Sequence, residues 1–257
     1  MDISLIETLR WKPDGGFVRP ERHLARLERS AAALGLPGAE GARKALLAAL
    51  PPSALPGISL TGGEIGKRKR QSSTSIVEAG KASPHPISPL VGEMPGRAEG
   101  GEPNGSPLRV RFELFADGRI DVQTSAFTPL APDAIWRLAI AATRLASPDP
   151  LLRHKTSRRA AYVAARAEFP ATEADEVILA NERGELCEGT ITSLFLDDGS
   201  GILKTPPLAC GLLAGVLREE LLESGKAVEQ VLLPQELATG VLLVGNSLRG
   251  LIRGRLA

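Results

Sequence analysis

The stretch that most constrains the fold lies near the middle of the chain. Residues 57–106 contain 10 Gly, 7 Ser and 5 Pro, so 22 of these 50 residues favour turns or flexible chain, and none is aromatic. No apolar period of 2 or 3.6 residues runs through the segment, and it cannot bury enough apolar surface to offset the entropy of ordering it. We predict a disordered insertion that is dispensable for folding. The fold must then be built from the residues on either side.

The residues before the insertion are typical of a hairpin followed by helices. Apolar residues recur over 3–11, and a Pro-Asp-Gly-Gly turn at 13–16 leads into a partner strand. Between Pro20 and Gly35, leucines and alanines recur at helical spacing, and proline at the start with glycine at the end is a helix signature. A second helix is expected at about 40–50.

Regular patterning returns after the insertion. Residues 108–116 alternate apolar and charged side chains as a half-buried strand does, and the Asp-Gly pair that follows turns the chain back. Further strands are predicted at 119–125, 135–142, 176–180, 190–196, 227–233 and 241–245, and helices at about 158–168 and 216–223. This mixture favours an α+β fold. We expect two domains sharing a cleft, a small N-terminal one at 1–125 that contains the insertion and a larger one at 126–257.

Composition narrows the class of partner. With 31 basic and 30 acidic side chains the net charge is +1, so no nucleic-acid or membrane partner is expected, and the basic run 67–70 is interpreted as solvated charge. Cys187 and Cys210 form no metal pattern with the three histidines, and no metal site is expected. No apolar run approaches the roughly 20 residues that span a bilayer, and no signal peptide is evident, so we expect a cytoplasmic protein.

Two basic stretches are candidates for chemistry, although each has a simpler interpretation. In RHLARLERSAAALG (22–35) a helix presents Arg22, Arg26 and Arg29 on one side, which by itself is typical of a solvated face. In RHKTSRRAAYVAARA (153–167) Lys155 stands after a Pro-containing loop and before a helix. Most lysines are solvated, but one buried near other cations has a lowered pKa and is nucleophilic.

Two further stretches carry an acid and a glycine-led helix start. In EVILANERGELCEGTITSLFLDD (176–198) a hairpin contains Glu188, which is either a strand-end residue or the carboxylate that a pyridine nitrogen requires. In TPPLACGLLAGVLREELL (205–222) a loop passes through Gly215 into a helix. Free amides at Val216 and Leu217 would bind an anion there, although such helix starts are common.

Together, in this order and spacing, the four stretches resemble class IV pyridoxal 5′-phosphate (PLP) enzymes over about 200 residues. The group contains branched-chain aminotransferase, D-amino-acid transaminase and 4-amino-4-deoxychorismate lyase. The resemblance implies that Lys155 carries the cofactor covalently and is the catalytic residue, and that Glu188 binds the pyridine nitrogen. It also implies a phosphate site formed by Arg26, Gly215 and the first amides of the following helix, with Asn246 and Ser247 of VGNSLRGL (244–251) beside it.

The short lyase-type members are the most similar, which predicts a folate-pathway lyase that makes 4-aminobenzoate and pyruvate. An aminotransferase for branched-chain or D-amino acids is the first alternative, and a PLP-binding homologue with impaired catalysis is the second. A homodimer acting on a small amine is implied. Thr8, Arg159 and Arg249 are candidate substrate ligands, the two arginines for carboxylates.

Two features depart from the family pattern. The chain starts at what resembles the ETLR strand, with Glu7 and Thr8, and lacks the opening hairpin of longer members. Tyr162 lies seven residues after the lysine, whereas the branched-chain enzymes have a tyrosine five residues after it. A role for Tyr162 in cofactor binding is therefore left open.

Overall fold

The computed structural model describes residues 3–50 and 106–257. The predicted insertion lies outside the described residues except for Ser106. The strands are β1 Leu5–Lys12, β2 Gly16–Phe17, β3 Leu108–Leu114, β4 Ile120–Ala126, β5 Ile135–Leu145, β6 Glu176–Asn181, β7 Leu186–Gly189, β8 Ser193–Asp197, β9 Leu203–Thr205, β10 Ala227–Glu229, β11 Val241–Asn246 and β12 Gly250–Leu256; the helices are α1 Pro20–Leu34, α2 Ala42–Ala48, α3 Ala160–Ala167 and α4 Val216–Glu223.

The N-terminal sheet has four antiparallel strands in the order β2-β1-β3-β4. Strands β1 and β3 alternate buried and partly exposed residues, and their buried faces pack against α1 and α2. Leu5, Leu9 and Trp11 occupy the buried face of β1, and the period of two places Glu7 on that same face. A carboxylate in this position needs partners from the helix, because a buried charge is costly unless it is paired.

The second sheet has eight strands in the order β10-β9-β8-β11-β12-β5-β6-β7. An additional pairing of β7 with β8, at Glu188 and Ser193, closes six of these strands into a ring. Leucine, isoleucine and valine side chains such as Leu138, Leu194 and Val244 fill one core of the sheet. A second core lies between β5, β6 and α3. The α+β class predicted from the sequence is confirmed, and the two sheets with their separate cores fit the predicted two-domain arrangement.

Most predicted elements are present, but the strand expected at 190–196 is wrong at its start. The chain turns through 190–192, and β8 begins at Ser193. Strands β9 and β12 were not predicted, because β9 has three residues and glycines interrupt the apolar pattern of β12. The predicted domain boundary at 125/126 falls at the end of β4, and it stays a prediction.

Candidate active site

Lys155 lies in a loop that both α1 and β1 hold in place. The carbonyl of Lys155 accepts the Ile6 N–H at 2.8 Å, and Ser157 donates its N–H to the Ser4 carbonyl at 3.0 Å. On the other side His154 Nδ1 lies 2.9 Å from Ser30 Oγ of α1. Backbone bonds on either side of the lysine therefore fix where its side chain starts.

The Lys155 amine is surrounded by charges of both signs. Burial lowers its pKa, Arg159 and Arg26 lower it further, and Glu7 and Glu188 oppose them, so that the pKa is about 8 instead of 10.5. At pH 7 the neutral, nucleophilic form then rises to roughly a tenth of the molecules, whereas an ordinary lysine has well under a thousandth. A lowered pKa of this kind fits the reactive amine predicted at Lys155, and that role stays a prediction.

Glu188 is the buried carboxylate of the site. One oxygen, Oε1, accepts the Tyr162 hydroxyl at 2.6 Å and the Leu213 N–H at 3.0 Å. Burial raises its pKa to about 7, although these two donors, Lys155 and Arg159 act in the opposite direction. Within the described part of the chain its second oxygen accepts no hydrogen bond, so one side of the carboxylate is available to a ligand.

Tyr162 and Arg159 both act on this carboxylate. The Tyr162 hydroxyl is held by Glu188, and burial and that carboxylate raise its pKa, so the phenol keeps its proton and donates it. Arg159 lies 4.9 Å from the Tyr162 ring centroid and donates to the Thr190 carbonyl at 2.5 Å. Tyr162 is thus a residue of the site, through contact with Glu188, despite its unusual spacing from Lys155.

The turn at 190–192 is organised by a second buried carboxylate, Glu176. It accepts the Thr190 N–H and hydroxyl, the Ile191 N–H and the Thr192 hydroxyl at 2.6 to 3.1 Å, and also the N–H of the next residue in β6. These bonds compete with continuation of the strand, which is why β8 starts late. They also fix the chain immediately after Glu188.

Gly189 is required by this turn because nothing larger fits there. A Cβ at Gly189 would lie 2.4 Å from Thr192 Oγ1 and 2.8 Å from the Glu176 carboxyl. We expect Gly189→Ala to lower the free energy of unfolding by about 1–3 kcal/mol, since overpacking forces the buried carboxylate out of its bonds. The control is Gly15→Ala, where a Cβ meets nothing within 4 Å and a change below about 0.5 kcal/mol is expected. Equal urea midpoints for both variants would contradict this account.

The buried Glu7 of β1 is paired with α1. Arg26 donates to it from Nε at 2.8 Å and from Nη2 at 2.6 Å, and His23 Nδ1 lies 2.6 Å from it. Burial alone would raise the pKa of Glu7, but Arg26 and His23 hold it at about 2. Arg26 also donates from Nη1 to the Ala214 carbonyl at 3.1 Å, which brings it to the loop that leads into α4.

The start of α4 has the geometry of an anion-binding site. Gly215 is its N-cap and provides no side-chain cap, so the first amides of the helix, at Val216 and Leu217, lack intrahelical partners. A Cβ at Gly215 would meet Ser193 Oγ at 2.6 Å, so the loop passes too close to β8 for a larger residue. Arg26 beside Ala214 adds positive charge at the same end of the helix.

The other arginines of α1 have exposed partners on α4. Arg22 lies 2.5 Å from Glu223, and Arg29 lies 3.0 Å from Glu219. Of the three arginines predicted on one helical face, only Arg26 is buried and points towards Lys155. Exposed ion pairs of this kind contribute roughly 0–1 kcal/mol, so they align the two helices more than they stabilise the fold.

The end of β11 and the turn after it carry three of the remaining predicted residues, and the fourth, Thr8, lies in β1. Asn246 donates to the Ile191 carbonyl at 3.1 Å, and Ser247 Oγ lies 2.8 Å from His23 Nε2. Arg249 lies 5.8 Å from the Trp136 ring centroid. Thr8 pairs with a β3 residue in the sheet register and lies on the face of β1 opposite Glu7. Asn246 thus contacts the turn at 190–192 that follows Glu188. Ser247 contacts His23, which is bonded to the same Glu7 as Arg26.

Sequence reasoning missed His23, Glu7 and Glu176 as members of the site. Glu7 carried a signal, because a carboxylate at an apolar position of an alternating strand needs a buried partner. His23 precedes Arg26 by three residues, which places both on one helical face. Glu176 showed no such signal.

A protein-family comparison identifies residues 98–256, more than half of the chain, as class IV aminotransferase. A provisionally named aminodeoxychorismate lyase of Schizosaccharomyces pombe is 32% identical over 156 residues, which are 58% of this chain and 67% of the relative.

None of the helices in the described part of the chain has the length and hydrophobicity needed to span a bilayer.

Solved structures agree with this assignment. A provisionally named amino-acid aminotransferase from Mesorhizobium loti is 40% identical, with both chains covered in full and a TM-score of 0.76. A provisionally named 4-amino-4-deoxychorismate lyase is 25% identical, with 98% of this chain and 84% of that chain covered and a TM-score of 0.66. The chain therefore belongs to the class IV aminotransferase family of PLP-dependent enzymes.

Proposed function

We propose that the chain is a lyase that converts 4-amino-4-deoxychorismate to 4-aminobenzoate and pyruvate, with PLP held at Lys155. The observation that carries the proposal is the Lys155 amine, whose pKa is lowered to about 8 among Arg26, Arg159 and Glu188. The name of the yeast relative, at 32% identity, supports the lyase reaction over other class IV reactions.

The residues present fit the cofactor. The Lys155 amine would bind it covalently, and the open oxygen of Glu188 would accept the N–H of the pyridine ring. Arg26 uses three of its five N–H donors on Glu7 and Ala214, so two are left for the phosphate, beside the first amides of α4. When bound, the cofactor supplies an electron-withdrawing ring that stabilises negative charge next to the substrate nitrogen.

Lys155 would move the proton in this reaction. Displaced by the substrate amine, its free amino group takes the proton from C4, and the ring becomes aromatic as the bond from C3 to the ether oxygen breaks. That oxygen leaves in the pyruvate enolate, whose methylene carbon receives the proton from Lys155. Substrate and products contain the same atoms, so neither water nor a redox partner is consumed.

Arg159 and Arg249 are the proposed ligands of the substrate carboxylates, because guanidinium groups bind carboxylates in a bidentate way. Arg159 lies beside Tyr162 and interacts with the charges of Lys155 and Glu188, which supports its place in the site. Thr8, which lies on the face of β1 opposite Glu7, is a weaker proposal for the substrate. Asn246, which donates to the Ile191 carbonyl, stays a proposed cofactor ligand.

The aminotransferase alternative is favoured by the Mesorhizobium loti structure, which is 40% identical over the whole chain. An aminotransferase would use the same Lys155 and Glu188, but Lys155 would return the proton to the cofactor, and a keto acid would leave. The two reactions differ in their products and in their need for an amino acceptor.

The products distinguish the candidates. Purified protein with PLP is incubated with aminodeoxychorismate made in situ, and 4-aminobenzoate, pyruvate and keto acids are measured together. We expect 4-aminobenzoate and pyruvate in equal amounts without any added acceptor. Keto acid formed from amino acids only when an acceptor is present would establish the aminotransferase instead. Bound cofactor without turnover of any amine would indicate a homologue with impaired catalysis.

The homodimer implied by the family resemblance and the cytoplasmic location expected from the sequence are part of this proposal and stay predictions. Light scattering on the eluted protein, at concentrations around that of the assay, would test the first.

A further inference from the structure

Four buried polar side chains form one continuous chain of hydrogen bonds behind the proposed phosphate site. Arg26 donates twice to Glu7, Glu7 contacts His23 Nδ1 at 2.6 Å, and His23 Nε2 contacts Ser247 Oγ at 2.8 Å. All four residues are at most 6% exposed. The chain joins β1 and α1 to the turn after β11, across 224 residues between His23 and Ser247.

The donor and acceptor capacities of these four side chains determine which atoms of His23 and Ser247 donate hydrogens. Arg26 can only donate, and Glu7, with a pKa of about 2, is ionised and can only accept. His23 Nδ1 must therefore carry a hydrogen. In a neutral ring Nε2 is then an acceptor, and the hydroxyl of Ser247 donates to it.

In this arrangement Ser247 donates its one hydroxyl hydrogen to His23. Towards any other group the Ser247 oxygen can then only accept, and a dianionic phosphate or sulfate can also only accept, so the two cannot hydrogen-bond. Ser247 can donate to such an anion only after His23 Nε2 becomes a donor, which requires a second proton on the ring.

We propose that His23 is a proton switch of the phosphate site: it rests neutral with its hydrogen on Nδ1, and takes up one proton when a dianionic group binds Ser247. The inference rests on the proposed function only in placing the cofactor phosphate at Ser247. His23 does not touch the reacting atoms and acts as a positioning residue through Ser247.

The charges around His23 suit a ring that rests neutral and can be protonated. Glu7 faces it from β1, Arg26 from α1, and Lys155 from the 154–157 loop. Arg19, at the start of α1, binds the Ser247 carbonyl at 3.4 Å. Burial lowers the pKa of His23, Arg26 and Lys155 lower it further, and Glu7 opposes them. An arriving dianion offsets the two cations and so favours the protonated ring.

Nitrogen NMR of the histidine rings measures directly which nitrogens of His23 carry a proton. The chain has three histidines, His23, His85 and His154, so histidine-labelled protein gives a simple long-range proton–nitrogen spectrum, assigned with His23→Gln and His154→Gln. We expect the free protein at pH 7.5 to show a proton on Nδ1 of His23 and none on Nε2. Sodium sulfate, which is dianionic throughout, and PLP should each add the second proton, and sodium chloride at equal ionic strength should not.

Linkage gives a second measurement. If one proton is taken up per anion, the Kd for sulfate should fall by up to about tenfold for each unit of decreasing pH, between the pKa of His23 in the sulfate complex and its pKa in the free protein. Ser247→Ala should keep the Nδ1 hydrogen, because Glu7 still requires it, and should lose most of the pH dependence.

Two results would overturn the switch. One is a free protein whose His23 carries its hydrogen on Nε2, or on both nitrogens. The other is an unchanged His23 ring when sulfate and PLP are added at saturating concentration, including a protein that binds neither. Failure of the proposed function looks different: borohydride reduction would leave Lys155 unlabelled, or no amine would be turned over, while the sulfate response of His23 could still be present.

Discussion

Lys155→Ala is expected to lower turnover by about 10⁴-fold or more, because the variant loses both the covalent anchor of the cofactor and the group that moves the proton. Its melting temperature should be unchanged or higher, since burial and the guanidinium groups of Arg26 and Arg159 all disfavour the charged amine that is removed. The combination of lost activity with retained stability separates a catalytic lysine from a structural one.

The matched control is Lys204→Ala, which removes a partly buried lysine that lies 4.0 Å from Asp198. That variant should keep its turnover within a few-fold of the original protein. Reduction with borohydride in the presence of PLP, followed by peptide mapping, should label Lys155 and not Lys204. A label on Lys204, or full activity without Lys155, would disprove the assignment.

Glu188→Gln is expected to reduce turnover by about 10²–10³-fold, the range seen when one stabilising electrostatic group is removed from an active site. Glutamine keeps the size of the side chain, and its oxygen can still accept from Tyr162 and Leu213. Its amide nitrogen can only donate, so it favours an unprotonated pyridine nitrogen and weakens the electron sink. Affinity for PLP should change by less than about tenfold, since Lys155 and the phosphate site are untouched.

Turnover and PLP affinity must be measured side by side on this variant, with Glu185→Gln as control. Glu185 lies in the same hairpin and pairs with Arg183 at 2.6 Å, away from Lys155. We expect the control to match the original protein in both measurements. Wild-type turnover in Glu188→Gln would remove Glu188 from the reaction, and loss of cofactor binding with turnover in proportion would make it a binding residue only.

Local patterns were sufficient for most elements of the fold. Helix α1 begins at Pro20 and ends before Gly35, as the sequence predicts, and the predicted start of α4 at Val216 is confirmed. These signals work because a helix start or a strand period depends on residues adjacent in sequence. Lys155 and Glu188 are predicted site residues because several motifs, each weak alone, occur in the order that the family shows.

Contacts between distant segments were not predictable in the same way. The break at 190–192 depends on Glu176, 14 residues from Thr190, whose bonds override the strand propensity of the Thr-Ile-Thr sequence. Tyr162 reaches Glu188 across 26 residues, so its position relative to Lys155 in sequence gave no guide to its partner.

The sequence by itself therefore determined the family, the α+β class and the position of most helices and strands, and it predicts the lysine and carboxylate of the site. The tertiary structure decided that Glu7 and His23 hold Arg26 and Ser247, that the pairing of β7 with β8 closes the ring, and that Tyr162 binds Glu188. The physical reason is the same in each case: a buried charge or donor must find a partner, and packing, not sequence distance, selects which one.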